Sequence, residues 1–238
     1  MKSLIKITRS RPWTRTAFVS PISSGLELFK KFILDFLYPS RGVITNLSPE
    51  ELLEKARRAE ECQEKDVLAI FDYREPDVKK LIWELKYKNS EQAADILAKV
   101  LYQEMLGSME DWLTFDNFKN PILIPIPLSK EKLAKRGYNQ TEIVVRKIME
   151  MDEGKNFTAQ YQTLEKIKDT PDQTSTKTKE ERLKNLKGSF AVNDGEEIKE
   201  RNIIIIDDVI TTGATIKESR RTLKANGAKK VKAVVIAH

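Results

Sequence analysis

Apolar positions along the chain alternate between helical and strand periods. Leu26, Phe29, Ile33, Phe36 and Leu37 share one face at helical spacing. The tract SPEE (48–51) predicts a helix start, with Ser48 as N-cap, Pro49 at the first helical position and Glu51 closing a capping box. Leu52, Leu53, Ala56 and Ala59 continue the spacing, predicting a surface helix within 48–65. VLAIFDY (67–73) predicts a short strand, and 76–87 and 90–106 two amphipathic helices. PILIPIP (121–127), bounded by prolines, reads as a buried strand, and 133–150 becomes helical after Gly137. Further strands are predicted at 161–167, 190–192 and, most strongly, NIIIIDDV (202–209). A helix over 212–228 ends at Gly227, and 229–237 is the last strand.

Strands alternating with helices, with runs as apolar as IIII and AVVIA, predict an α/β fold. Its central sheet is mainly parallel and flanked by helices on both faces. Residues 1–66 read as a basic arm with a helical appendage, and 67–238 as one α/β unit without internal repeats. The polar stretch 169–185 lacks strong periodicity, which leaves a solvated linker and a lid both open.

Charge sharpens this division. The net charge is +6, and through Lys31 seven basic residues face a single acid, Glu27, so the whole excess lies in the arm. A solvated tail and a contact with nucleic acid or an anionic membrane are both open. One cysteine, Cys62, closes no intramolecular disulfide, and one Cys with one His (His238) cannot supply a four-ligand zinc site. A catalytic histidine is set aside because His238 is the last residue. No run approaches the roughly 18–20 apolar residues of a membrane span. No signal-peptide pattern follows the basic N-terminus, so a cytoplasmic location is expected.

The chemistry concentrates in IIIIDDVITTGAT (203–215). Asp207 and Asp208 end a buried strand, where open α/β sheets bind ligands. Thr211, Thr212, Gly213, Ala214 and Thr215 then bring backbone N–H groups and hydroxyls to a helix N-terminus, an anion-binding arrangement. Adjacent carboxylates repel phosphate but suit hydroxyls or a metal, so the ligand should pair a phosphate with vicinal hydroxyls, as a sugar phosphate does. Neither G-x-x-x-x-G-K-[ST] nor G-x-G-x-x-G is present.

Four apolar residues, two acids and VITTGAT resemble the signature of type I phosphoribosyltransferases, which bind phosphoribosyl pyrophosphate. The segments FDYREPDVKKLIWELKY (71–87), IPIPLSKEKLAKRGYNQ (124–140) and KDTPDQTSTKTKEERLKNLKGSF (168–190) are, in that order, similar to the ComF family linked to competence and DNA uptake. The resemblance implies a type I phosphoribosyltransferase fold over about 67–237. It implies that Asp207 and Asp208 hold the ribose hydroxyls and Thr211–Thr215 the 5′-phosphate. Lys135, Arg136 and Gly137 take the place of the pyrophosphate loop, with Arg136 its charge partner, and 168–185 that of a closing hood. Mg²⁺ would be the cofactor, and phosphoribosyl transfer to a nitrogen acceptor the reaction. The alternative is a non-catalytic module in DNA uptake or recombination, the arm meeting DNA or a protein of the competence machinery. Two features depart from the family pattern. The region of its four-cysteine zinc ribbon (about 38–66) keeps only Cys62 and reads as helical, and Ser129 stands where the family usually has histidine.

Overall fold

Ile203 to Ile206 are each 0–1% exposed, because the strand that carries them is covered on both faces. The computed structural model describes residues 47–60, 62, 64–168 and 186–238. The basic arm, the helix read across 26–37 and the polar stretch 169–185 lie outside the described residues.

The elements, in chain order, are α1 (Pro49–Lys55), β1 (Val67–Phe71), α2 (Pro76–Lys88), α3 (Glu91–Asp116), β2 (Ile122–Pro125), α4 (Lys130–Arg136) and α5 (Gln140–Asp152). There follow β3 (Thr158–Ala159), β4 (Leu164–Lys166), β5 (Phe190–Val192), β6 (Asn202–Val209), α6 (Ala214–Ala225) and β7 (Lys230–Ala237). The main sheet has the order β1-β7-β6-β2-β3, and every pair in it is parallel. This is the α/β architecture expected from the alternating runs.

Side-chain alternation along β6 feeds two cores. Ile204 and Ile206 join Leu52 of α1, Leu81 of α2, Leu97 of α3 and Val145 of α5. Ile203 and Ile205 pack with Ile216 and Leu223 of α6 and with Leu164 and Phe190. From β2 the chain crosses through α5 to β3, and from β6 through α6 to β7, in opposite directions along the sheet. Right-handed crossovers taken in opposite directions place their helices on opposite faces. Strand order therefore reverses between β2 and β6, and the carboxyl ends of these two strands are where open α/β sheets form their ligand crevice.

Several boundaries differ from the sequence reading, each for a local reason. The capping box forms as read: Glu51 N–H donates to Ser48 Oγ (3.1 Å) and Ser48 N–H to Glu51 Oε2 (3.2 Å). The helix nevertheless stops at Lys55, because the chain beyond it pairs with the exposed side of β1. There Asp72 N–H donates to the Arg57 carbonyl and Ala59 N–H to the Ile70 carbonyl, both at 2.9 Å. This segment satisfies a sheet edge that would otherwise be open.

α3 continues ten residues past Leu106. Gly107 is exposed there, and Met109 and Trp112 still pack on the core before Asn117 turns left-handed (φ 49°). Residues ahead of Gly137 are helical too, because Ser129 caps α4 by accepting from Lys132 N–H (3.5 Å). Gly137 (φ 85°) ends that helix and Asn139 caps the next. The strands read at 161–167 and 190–192 pair with each other, antiparallel, in a second small sheet.

Candidate functional site

β2 and β6 lie side by side, with Pro125 opposite Ile206 and Ile126 N–H donating to the Ile206 carbonyl (2.9 Å). Asp207 and Asp208 follow directly, so both acids stand at the rim of the crevice. The alternation that splits the isoleucines also splits the acids. Asp208 shares the face of Ile204 and Ile206, under α2 and α5, and Asp207 shares that of Ile203 and Ile205.

Asp208 is buried and held from two sides. Lys86 Nζ, in the last turn of α2, lies 2.8 Å from its Oδ1. Gln140 Nε2, at the start of α5, donates to its Oδ2 at 2.7 Å. Gln140 is buried too, and its Oε1 accepts from the Arg136 guanidinium. That guanidinium also lies over the Tyr87 ring, 5.7 Å from its centroid. A continuous path thus runs from Arg136 through Gln140 to Asp208, with Lys86 closing the far side.

Asp207 has a different setting. Its Oδ1 accepts the Asp208 N–H at 2.9 Å. Burial, and then the negative charge of Asp208, push its carboxyl up to about 7; that N–H bond and the charges of Lys86 and Lys166 oppose the rise. Burial, followed by the nearby Asp208 and Tyr87, also holds the Tyr73 phenol well above its ordinary range.

The threonine turn follows at once. Gly213 (φ 72°) precedes α6 in the left-handed region, where a Cβ is disfavoured. A Cβ there would also lie 3.2 Å from Glu64 Oε2. Glu64 itself pairs with Lys217 (3.0 Å) and Arg220 (3.6 Å) of α6. Thr211 is exposed, Thr212 and Thr215 are half-buried, and Ala214 is buried.

Of the residues singled out in the sequence, the structure joins Arg136 to Asp208 and sets Thr211–Thr215 on the turn leaving β6. Lys135 and Gly137 are exposed, Lys135 in the last turn of α4 and Gly137 at its C-terminal cap, so the segment taken for a pyrophosphate loop is helical up to Arg136. Among the described residues, the side-chain path to the acids runs through Arg136 and Gln140. Lys86 and Gln140 were not singled out. Lys86 is one lysine of several in an amphipathic helix, and only tertiary packing selects it. Gln140 carried a weak signal, standing where a glycine turn gives way to a helix. Ser129 is buried, caps α4 and bridges to Lys166, a structural use of the position where the ComF family usually has histidine. His238 is held at this same edge of the sheet, its N–H donating to the Phe71 carbonyl (3.0 Å) and its carbonyl accepting from Tyr73 N–H (2.9 Å). Among the described residues no group of three or more His, Cys, Asp or Glu could hold a metal, and no helix is long and apolar enough to cross a membrane.

The model of the phosphoribosyl transferase domain matches residues 114–238, which include β2, β6 and both turns of the crevice. The chain belongs to the phosphoribosyl transferase domain family. Its relatives are of the ComF type. Competence protein F of Haemophilus influenzae is 28% identical over 63% of this chain and 63% of its own length. The DNA utilization protein YhgH of Salmonella typhimurium is 26% identical over 68% and 67%. Competence protein ComFC of Streptococcus pneumoniae is 33% identical over 48% and 47%. The match thus spans less than two thirds of the Haemophilus and Streptococcus proteins. A hypoxanthine phosphoribosyl transferase of Trypanosoma cruzi superposes over 59% of this chain and 64% of its own, with a TM-score of 0.37 and 10% identity, too low to add weight to the family match. In this phosphoribosyl transferase domain, β1 extends the sheet beyond the matched residues by pairing with β7.

Proposed function

We propose that this protein binds phosphoribosyl pyrophosphate in the crevice between β2 and β6 and transfers its phosphoribosyl group to a nitrogen acceptor. The observation that carries this reading is the joined set Arg136–Gln140–Asp208, which links the junction of α4 and α5 to the acids ending β6. Asp207 and Asp208 would accept the ribose hydroxyls. The Thr211–Thr215 turn would offer backbone N–H groups and hydroxyls to the 5′-phosphate. Arg136, with Lys135 and Gly137 beside it, would face the pyrophosphate.

Two carboxylates at a strand end, with no third acid grouped beside them among the described residues, fit an ion that takes most of its oxygens from ligand and water, as Mg²⁺ does. Asp207 and Asp208 would hold it, and when bound it supplies Lewis-acid stabilisation to the leaving group. As pyrophosphate departs from C1 through an oxocarbenium-like state, Arg136 would offset the charge growing on its oxygens. The acids meanwhile keep the ribose placed for attack by the nitrogen.

Calorimetry with Mg²⁺ tests this reading. Wild-type protein should bind phosphoribosyl pyrophosphate, and the double variant Asp207→Asn/Asp208→Asn should bind it at least roughly tenfold more weakly. No binding by the wild type at millimolar ligand overturns the proposal.

The relatives' names, competence and DNA utilization, favour a second reading: a non-catalytic sugar-phosphate-binding module in DNA uptake or recombination. Pyrophosphate release across a panel of bases and amines separates the two. Release above the rate without acceptor supports the enzyme, and its absence supports the module. For the basic arm, DNA affinity of the full chain and of a chain beginning at residue 32 should be compared at two salt concentrations. Unchanged affinity removes that role.

A further inference from the structure

Resting on the phosphoribosyl pyrophosphate reading, we propose that Lys86 is an exchange residue. Its ammonium holds Asp208 before the ligand arrives and passes to the ligand's pyrophosphate once the ribose hydroxyls take that carboxylate. Both oxygens of Asp208 already have protein partners, Lys86 at Oδ1 (2.8 Å) and Gln140 at Oδ2 (2.7 Å). Each oxygen keeps a further acceptor site, but Asp208 is only 6% exposed, so a vicinal diol reaching this carboxylate competes with these partners for the room around it.

The two partners differ in how readily they leave. Gln140 is 5% exposed and anchored at its other end by the Arg136 guanidinium. Its release would leave its own buried amide without the Asp208 acceptor. The Lys86 side chain is 22% exposed, and its ammonium sits on a four-carbon stem that reorients at low cost. Lys86 is the partner that yields.

Its destination follows from its neighbours. The next residue, Tyr87, carries the Arg136 guanidinium over its ring. Arg136 is also tied to Asp208 through Gln140, so an ammonium leaving Asp208 sets out from a carboxylate one glutamine away from the arginine that would meet pyrophosphate. A compact ammonium suits phosphate oxygens. The exchange also keeps charge matched. The cation that offsets two adjacent carboxylates before binding offsets the incoming polyanion afterwards, so the acids can face the ribose while the ligand's own charge is met.

The test uses wild type, Lys86→Gln and Lys86→Met as full chains, each checked by thermal melting. Three probes are titrated in Mg²⁺ buffer: phosphoribosyl pyrophosphate, inorganic pyrophosphate and ribose 5-phosphate. Lys86→Gln keeps a neutral donor for Asp208 and guards against misfolding of the methionine variant. Both variants should lose roughly 10–100-fold in affinity for the two pyrophosphate-bearing probes. Ribose 5-phosphate should bind as tightly as to wild type, or more tightly, because Asp208 is easier to reach. Equal weakening for all three probes would mean that Lys86 only props Asp208, and would overturn the exchange. No change for any probe overturns it as well. In both cases, wild-type binding of phosphoribosyl pyrophosphate leaves the parent reading standing. A wild type that binds none of the three removes both.

Discussion

Gln140 and Asp208, 68 residues apart in sequence, are joined side chain to side chain by a buried hydrogen bond of 2.7 Å. Gln140 is the first residue of α5 and Asp208 the penultimate residue of β6, so this bond crosses the crevice at the strand reversal. Replacing Gln140 with Leu keeps the approximate volume but removes the amide that bonds both Asp208 Oδ2 and the Arg136 guanidinium, leaving Asp208 with Lys86 alone. Urea unfolding should show a loss of about 1–3 kcal/mol. Affinity for phosphoribosyl pyrophosphate should fall together with stability, and unchanged stability would show that the bond is dispensable.

Asp207 couples stability to pH with the sign opposite to that of an ordinary surface acid. Its folded-state pKa is raised, so between about 4 and 7 the folded protein retains a proton that the unfolded chain releases. Stability from this group is therefore full at acid pH and declines as pH rises through that window. Asp207→Asn removes the penalty, and its oxygen can still accept the Asp208 N–H. The variant should melt roughly 2–4 °C above wild type at pH 8 and close to it at pH 5, while binding phosphoribosyl pyrophosphate less well. A lower melting point at pH 8 contradicts this account.

Gly213 is constrained both by its backbone and by its neighbour. Gly213→Ala places a Cβ at φ 72° and 3.2 Å from the Glu64 carboxylate. The expected loss is about 1–2 kcal/mol. Adding Glu64→Ala should relieve the contact but not the backbone strain, so only part of the loss returns. Full recovery in a double-mutant cycle would assign the whole effect to Glu64.

Asp152 serves as a structural control at the far end of α5. Burial alone would raise its carboxyl. Instead the N–H groups of Asn156 and Phe157, the Asn156 side chain and the Tyr102 hydroxyl hold it below the usual range. A depressed acid contributes stability above its unfolded pKa, and that contribution is lost as pH falls through the folded value. Asp152→Ala should cost about 1–3 kcal/mol at pH 7 and progressively less as the pH falls through its lowered folded-state pKa. Below its melting temperature, binding of phosphoribosyl pyrophosphate should match wild type.

The strand-end acids and the threonine turn were legible because each requirement falls on neighbouring residues. An isoleucine run predicts a doubly covered strand, and the next few positions must then be its carboxyl-end turn. Lys86 and Gln140 were not legible in this way. They lie 122 and 68 positions from Asp208, and what selects them is the packing of α2 and α5 on the face of Ile204 and Ile206. The end of α1 was misread for a similar reason. Ala56 and Ala59 fit helical spacing, but a sheet edge competes for the same backbone groups and wins. Ser129 shows the converse, where local capping chemistry gives a structural use to a residue that departs from the family pattern.

The adjacency of Asp207 and Asp208 conceals a partition. Strand geometry sends neighbouring side chains to opposite faces, so the two acids answer to different halves of the protein: Asp208 to the helices α2 and α5, Asp207 to the side of α6 and the small antiparallel sheet. One residue inserted in β6 ahead of them would exchange their surroundings, handing the lysine–glutamine clamp to the wrong carboxylate. The count of residues from the start of that strand to its acids is thus as much a determinant of the chemistry as the acids are.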